Sequence, residues 1–409
     1  MEACGTLDSW AGGLYRLDAM STATLHGLRV LDLTTTIAGP HCTRLLADLG
    51  ARVVKIESPD GDLMRTRPPL RDGASSYFGE LNAGKQSIVL DLKQPAAGAV
   101  VKRLVLTTDV LVENFRPGVM QRLGLDYGAL AAVQPALIYC AISGYGQSGP
   151  SAGLPAYAPV IHAAAGYDTA HLSYQEGRTK PDNNGIFIAD VLSGTYAFGA
   201  ILAALHHRER TGQGQLVDVS MLESMLTMML SEIQRAQFPL PPPGRPMFGP
   251  IETRDGYIML AVASERTFVD LGRAAGREDW LTDPRFAVYG DRRRNWHLLV
   301  AELEQWSRRL TTVECQAAFD RFGVPCSPYR TVEEAMADPQ LAHRQAFGES
   351  RDAGGLFRAL NPPFRFSASP AGIQPFVAAL GEHGDQVLAE AGYSPQEVEE
   401  LKKSRALGG

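Results

Sequence analysis

Between residues 28 and 142, short runs rich in aliphatic and β-branched residues alternate with helix-like stretches. This alternation limits what the chain can fold into more than any other feature. The runs are LRVLDL at 28–33, ARVVKI at 51–56, SIVLDL at 87–92, DVLVE at 109–113 and ALIYCAI at 136–142. After the first, Pro40 suits a first helical turn, Cys42, Leu45, Leu46 and Leu49 follow helical spacing, and Gly50 is a stop signal. The turn SPDG at 58–61 closes the second run, and a helix is predicted from Pro95 to about residue 107. Strands separated by helices of ten or more residues imply βαβ units, hence an α/β fold with a mainly parallel sheet.

Beyond residue 142 the pattern loosens. Residues 143–184 read as irregular, being rich in Gly, Pro, Tyr and Ser. A long helix follows from about 190 to 210, broken at 211–214 (TGQG), and then a strand at 216–219. Residues 220–237 read as one helix whose methionines 221, 225, 228 and 229 belong to a core rather than to a groove. The segment 238–246 holds five prolines and a glycine, which continue neither helix nor strand and mark a boundary. A second unit covers roughly 247–340, with a strand at 257–262, and the tail from about 345 ends in a charged helix over 395–403. Residues 1–24 read as a flexible extension, and Met20 is an alternative start, because ordered pattern begins at Leu25.

Composition narrows the function classes. Lys+Arg 39 against Asp+Glu 45 gives a net charge of -6, which argues against nucleic-acid binding by broad counterion release. Five scattered cysteines without CxxC or Cys/His spacing point to free thiols and no metal site. No uninterrupted apolar run reaches the length of a membrane span, so the expected location is the cytoplasm, with no membrane partner.

Familiar site motifs are mostly missing. The turn after the first run reads TTTIAG at 34–39, not the glycine-rich dinucleotide fingerprint, and no Walker A sequence occurs. GPSAG at 149–153 matches a nucleophile-elbow pattern but lacks the flanking strand and helix, so it reads as a loop. His206 and His207 are adjacent and point apart on a helix, which is poor metal geometry. His162 lies in an apolar run and reads as a satisfied, partly buried side chain. Asp190 stands at a helix start after an apolar stretch: either an N-cap, or a carboxylate at the mouth of a site.

Several stretches, in order and spacing, resemble the class III CoA-transferases, the family that includes formyl-CoA transferase and carnitine CoA-transferase. They are GLRVLDL at 27–33, LADLGARVVKIE at 46–57, LNAGKQSI at 81–88, DVLVENFRPG at 109–118 and RERTGQGQ at 208–215. DPRF at 283–286, GVP at 323–325, LGEH at 380–383 and AGYS at 391–394 continue the series. The resemblance implies a Rossmann-like large domain built from 25–237 and 345–409. A smaller α+β domain is inserted at 247–340, with linkers at 238–246 and 341–344, and two ring-like chains interlock as a homodimer. It implies that Asp190 is the residue acylated during turnover. Asn114, Phe115, Leu90, Lys93, Arg122 and Tyr157 are then expected to contact CoA, with Ile37 and Ala38 beside the thioester. Acyl-CoA and a small carboxylic acid are substrates, and no cofactor is held permanently.

A carboxylate nucleophile makes chemical sense in such an enzyme. Attack on a thioester gives a mixed anhydride, so the acyl group stays activated through an aspartyl thioester and is not lost to water. Backbone N–H groups near Asp190 and near Ala38 and Gly39 are candidate oxyanion stabilisers. Two departures stand out. Where relatives carry an acidic residue after the tyrosine, this chain has Ala158, and the racemase branch's His-Asp pair reads Tyr157-Ala158. Racemisation needs two proton-transfer groups, so an α-methylacyl-CoA racemase ranks below a transferase. The missing acid also motivates a rival reading as a non-catalytic CoA-binding subunit. Residues 241–246 (PPPGRP) replace the glycine-rich lid of formyl-CoA transferase, which disfavours oxalate and formate as first-choice substrates.

Overall fold

A computed structural model describes residues 22–408 apart from 176, 183 and 239–246. Most of the expected N-terminal extension and all of the expected 238–246 linker except Phe238 therefore lie outside the described residues. The chain divides into two compact units, residues 1–234 with 342–409, and residues 235–341.

The first unit is built on a seven-stranded sheet. Its strands are β1 (Arg29–Asp32), β2 (Arg52–Glu57), β3 (Lys85–Leu90), β4 (Val110–Glu113), β5 (Ile138–Ser143), β6 (Gln215–Ser220) and β7 (Leu407–Gly408). They lie in the order β7-β3-β2-β1-β4-β5-β6. All pair in parallel except β7, which runs antiparallel along β3. The order climbs from β1 through β2 to β3 on one side and from β4 to β6 on the other. The direction of winding thus switches between β1 and β4, and crevices outside the carboxyl ends at such a point are where open α/β sheets bind ligands.

Helices cover both faces. The principal ones are α1 (Ala38–Asp48), α2 (Ser76–Asn82), α3 (Pro95–Val105), α4 (Ala158–Ala164) and α5 (Ile188–Thr211). Successive strand residues point to opposite faces. Val30, Val53, Val110, Ile138 and Cys140 therefore pack with α1, α4 and α5. Leu31, Ile88, Leu111 and Tyr139 pack with α3 and the two C-terminal helices Gly384–Glu390 and Pro395–Lys403. Burial on both faces is why these strands read as continuous apolar runs. Helix α5 is long and apolar enough to cross a membrane. It instead buries Ala189, Ala197, Phe198, Ile201 and Ala204 in the first of these cores.

The second unit carries a three-stranded antiparallel sheet of Phe248–Glu252, Tyr257–Ala261 and Cys326–Pro328, with the middle segment central. Helices Glu265–Ala275, Trp296–Ser307 and Thr312–Phe322 close over Ile258, Trp280, Phe286, Leu299 and Phe319.

Three expectations need correction. Residues 220–237 form two short helices, Met221–Leu226 and Leu230–Ala236, because the Met228 and Met229 N–H groups bond three residues back, to Met225 (3.2 Å) and Leu226 (3.0 Å), and the tightened turn ends the first helix. Met221, Met225 and Met229 are core as expected, whereas Met228 is exposed. Residues 143–184 are not wholly irregular, since they contain α4 and the helix Tyr167–Ser173. Asp190 is not an N-cap: α5 starts at Ile188 with Phe187 as its cap residue, which puts Asp190 third in the helix.

Candidate active site

The site begins with the loop that leaves β1. Asp32 is fully buried at the strand end. Its Oδ1 accepts the Thr34 N–H (2.9 Å) and hydroxyl (2.5 Å), and its Oδ2 accepts the Thr43 hydroxyl (2.6 Å) and the Lys85 ammonium (3.0 Å). Lys85 also donates to the Pro40 carbonyl (3.0 Å) and Asn82 Oδ1 (2.9 Å), tying β3 and α2 to the start of α1. Lys55 on β2 donates to the Thr34 carbonyl (2.7 Å) and pairs with Asp62 (3.0 Å), whose Oδ1 accepts the Thr36 N–H (3.3 Å). Burial works to raise the Asp32 carboxyl, but Lys85, Lys55 and the two hydroxyls outweigh it and hold the group well below the usual carboxylate range. Burial pushes the Lys85 ammonium down to about 8. Removing one partner from such a buried set costs on the order of 3–5 kcal/mol, so the loop is rigidly held. Thr36 sits at φ 71°, in the left-handed region that β-branched residues rarely enter.

Across the switch point, Asn114 after β4 binds this loop twice: its Oδ1 accepts the Thr35 N–H (2.9 Å) and its Nδ2 donates to the Thr35 carbonyl (2.8 Å). The buried Glu113 carboxylate accepts the Phe115 N–H (2.8 Å) and so fixes the turn that presents Asn114. Burial, with Asp218 adding, pushes that carboxyl up to about 7. Outside the carboxyl ends of β1 to β4 opens a cavity of about 270 Å³, lined by Leu33, Thr35, Leu90, Lys93, Phe115 and Leu123 among others. Its exposed walls are largely apolar, which suits a flat apolar group, with Lys93 and the acidic Glu57, Asp62 and Asp91 also in the lining.

The same loop runs on from Thr35 to α1, where the carboxylate of Asp190 is met. Gly194 makes this approach possible, since a Cβ there would lie 2.4 Å from the Ala38 carbonyl oxygen. Helix α5 therefore crosses α1 with its first turn against the first turn of α1. The Ala38 N–H faces the Asp190 carboxylate closely enough to favour its charged form. Burial pushes that carboxyl up to about 6 against the opposing pull of this N–H. Tyr77 on α2, half-buried, lies close enough for the Asp190 charge to add to the effect of burial in raising its phenol. His41 on α1 meets the Thr195 hydroxyl of α5 (3.2 Å), and burial followed by Arg44 and Lys85 lowers its imidazole to about 4, so the ring is neutral.

The backbone donors of the two helix starts can be followed one by one. In α5 the Ile188 N–H goes to the Ile186 carbonyl (2.9 Å), Ala189 to His162 Nε2 (3.2 Å) and Val191 to the Phe187 carbonyl (3.2 Å). The Asp190 and Gly39 N–H groups carry no hydrogen bond to any described residue, and Pro40 has no N–H to offer. Two uncommitted donors thus stand on the same first helical turns as a partly desolvated carboxylate, residue types able to support nucleophilic attack on a carbonyl and to stabilise an oxyanion.

Of the residues singled out from sequence, Leu90, Lys93 and Phe115 line one cavity with Asn114 at its rim. Ala38 meets Asp190, and Ile37 lies buried beside it at the start of α1. Arg122 is exposed at the end of the short helix Val119–Arg122, beside the cavity-lining Val119 and Leu123. Tyr157 is 68% exposed at the start of α4, with no hydrogen bond from its phenol among the described residues, so the structure does not join it to Asp190. Ala158 is buried. Sequence reasoning missed Asp32, Lys55, Lys85 and Tyr77. Charged residues inside the apolar runs of β1, β2 and β3 were the available signal. GPSAG at 149–153 is loop, His206 pairs with Glu209 on an exposed helix face, and no metal-binding cluster occurs among the described residues.

Comparison with known proteins gives consistent matches. Residues 25–384 match the family described as CoA-transferase family III. The chain is 34% identical to succinate–glutarate CoA-transferase of Agrobacterium fabrum, over 90% of this chain and 95% of that one. It is 33% identical to succinyl-CoA–D-citramalate CoA-transferase of Chloroflexus aurantiacus, over 94% and 98% respectively. It is 37% identical to acetyl-CoA:oxalate CoA-transferase of Acetobacter aceti, over 82% and 87%. Among solved structures, a CAIB/BAIF family protein from Brucella suis superposes with a TM-score of 0.79 at 32% identity, covering 90% of this chain and all of that one.

Proposed function

Since the chain belongs to CoA-transferase family III and is an enzyme moving coenzyme A between an acyl-CoA and a carboxylic acid, we propose that the transfer runs through the Asp190 carboxylate. The observation that carries this reading is the position of that carboxylate. It stands on the first turn of α5 against the first N–H of α1, one short loop away from the cavity at the switch point.

In this reading the cavity takes the nucleotide end of CoA, with Phe115, Leu90 and Leu33 against the base and Lys93 and Arg122 toward the phosphates. The pantetheine arm follows the rigid loop 33–38 to Asp190. An Asp190 oxygen attacks the acyl carbonyl carbon, the C–S bond breaks, and the CoA thiolate leaves a mixed anhydride. The thiolate then attacks the aspartyl carbonyl of that anhydride, releasing the donor acid and forming an aspartyl thioester. The acceptor carboxylate displaces the thiolate from it, giving a second anhydride, and thiolate attack on the acceptor carbonyl yields the new acyl-CoA and restores Asp190. Each tetrahedral oxyanion is met by the Gly39 and Asp190 N–H groups. The covalent steps need no acid at position 158.

The substrates are small carboxylic acids. The names of the relatives make dicarboxylates such as succinate, glutarate, D-citramalate and oxalate the first panel to screen. The working form is an interlocked homodimer in the cytoplasm.

Substituting Asp190→Ala is expected to lower kcat by at least about 10⁴-fold with the fold retained. Hydroxylamine added during turnover with acyl-CoA should leave a hydroxamate at residue 190, read by peptide mass spectrometry. Near-normal turnover of the variant, or a hydroxamate at another residue, overturns the reading.

A further inference from the structure

Helix α5 starts without a cap of its own. Phe187, in the cap position, has no side-chain oxygen to offer, and its helix carries no side-chain cap hydrogen bond. The next N–H that needs a partner is that of Ala189, which is fully buried and so out of reach of solvent. The partner comes from another element: His162 on α4, 1% exposed, accepts that N–H at Nε2 (3.2 Å). The following residue is Asp190.

We propose that His162 is a positioning residue for the reaction: its Nε2 lone pair takes the place of the missing cap and fixes the turn that aims the Asp190 carboxylate at the Ala38 N–H. This rests on the reading of Asp190 as the nucleophile. The ring is held for the task. Tyr167 packs on it with centroids 5.7 Å apart, and Tyr167 is in turn stacked on His171 at 6.1 Å. Accepting at Nε2 requires a neutral ring with its proton on Nδ1. Burial supports that state by lowering the imidazole from its ordinary value, with Asp168 opposing. Of the elements packed on α4, helix Tyr167–Ser173 brings Tyr167, Asp168 and His171, α5 brings Asp190, and helix Met221–Leu226 carries Glu223. A protonated ring would set a second N–H against the Ala189 N–H, and the turn would open.

The arrangement predicts which substitution is tolerated. An amide oxygen can accept the same N–H from a side chain of similar reach, whereas an isobutyl group fills the space and accepts nothing. His162→Gln is expected to keep kcat within about threefold of wild type. His162→Leu should lower kcat at least tenfold while KM for the acyl-CoA stays within about twofold, because the cavity that holds CoA is built on other elements. Hydroxylamine trapping distinguishes the two layers of the argument. If Asp190 is labelled in wild type and more slowly in His162→Leu, both stand. If Asp190 is never labelled, the nucleophile reading fails. If Asp190 is labelled at the wild-type rate in a folded His162→Leu, the positioning role fails, and equal impairment of the Gln and Leu variants overturns it too. Should His162→Leu not fold, ¹⁵N NMR of the wild-type ring decides. A bare Nε2 and protonated Nδ1 at pH 7 support the assignment, and a protonated Nε2 overturns it.

Discussion

The residue scale sets the pH response. Burial pushes the Asp190 carboxyl up to about 6, while only the ionised form is a nucleophile. The sign follows directly: above pH 6 the carboxylate is present, and as pH falls through that value it is lost. At acyl-CoA concentrations well below KM, log kcat/KM is expected to fall with unit slope below about pH 6, read from initial rates across pH 4.5–8. A flat profile over that range would show that a different group attacks. The sequence marked this residue as a carboxylate at a helix start after an apolar run, either cap or nucleophile, and the family resemblance alone favoured the nucleophile and put Ala38 near it. Its other surroundings were not legible. Tyr77 and His162 come from two separate elements, and spacing along a chain says nothing about which elements will meet. Lys85 and Lys55 carried a partial signal, since a lysine inside an apolar strand must find a buried partner. Those partners, Asp32 for Lys85 and Asp62 for Lys55, were visible only once β1, β2 and β3 stood side by side.

At the scale of elements, the position of Asp190, the proposed nucleophile, depends on how closely two helices approach. Gly194 lets α5 lie against the Ala38 carbonyl, and a methyl group there would need about a full ångström more room from backbone that cannot yield cheaply. Gly194→Ala is expected to lower stability by about 1–3 kcal/mol and kcat by at least tenfold, measured by urea unfolding and steady-state rates. Unchanged kcat would mean that the α1–α5 contact does not set the site. Long elements were well marked in the sequence: β1 to β6, α1, α3 and the helix Pro395–Lys403 follow from apolar runs bounded by Pro and Gly. Short ones were not. The seven residues of α4 and the seven of Tyr167–Ser173 are too few to show a period; α4 packs on α5, and Tyr167–Ser173 rests on α4. The single helix expected over 220–237 failed after Leu226, where Met228 and Met229 bond three residues back and tighten the turn.

For the whole molecule, the proposed interlocked homodimer makes a quantitative claim. Sedimentation should give twice the 44.2 kDa chain mass across micromolar concentrations, and Tm should rise with protein concentration. A 44 kDa species with full activity would refute it. The parallel sheet itself was inferable from alternating runs, but its closing strand was not, because two residues carry no pattern of their own. That strand, β7, has a consequence for how the chain is made. A ribosome that has translated as far as residue 341 has already supplied every residue of the second unit, yet the border of the first along Lys85–Leu90 still waits for Leu407 and Gly408. Maturation is therefore ordered by translation: the inserted unit can fold on the nascent chain, while the border of the first unit is completed only by residues that emerge after it.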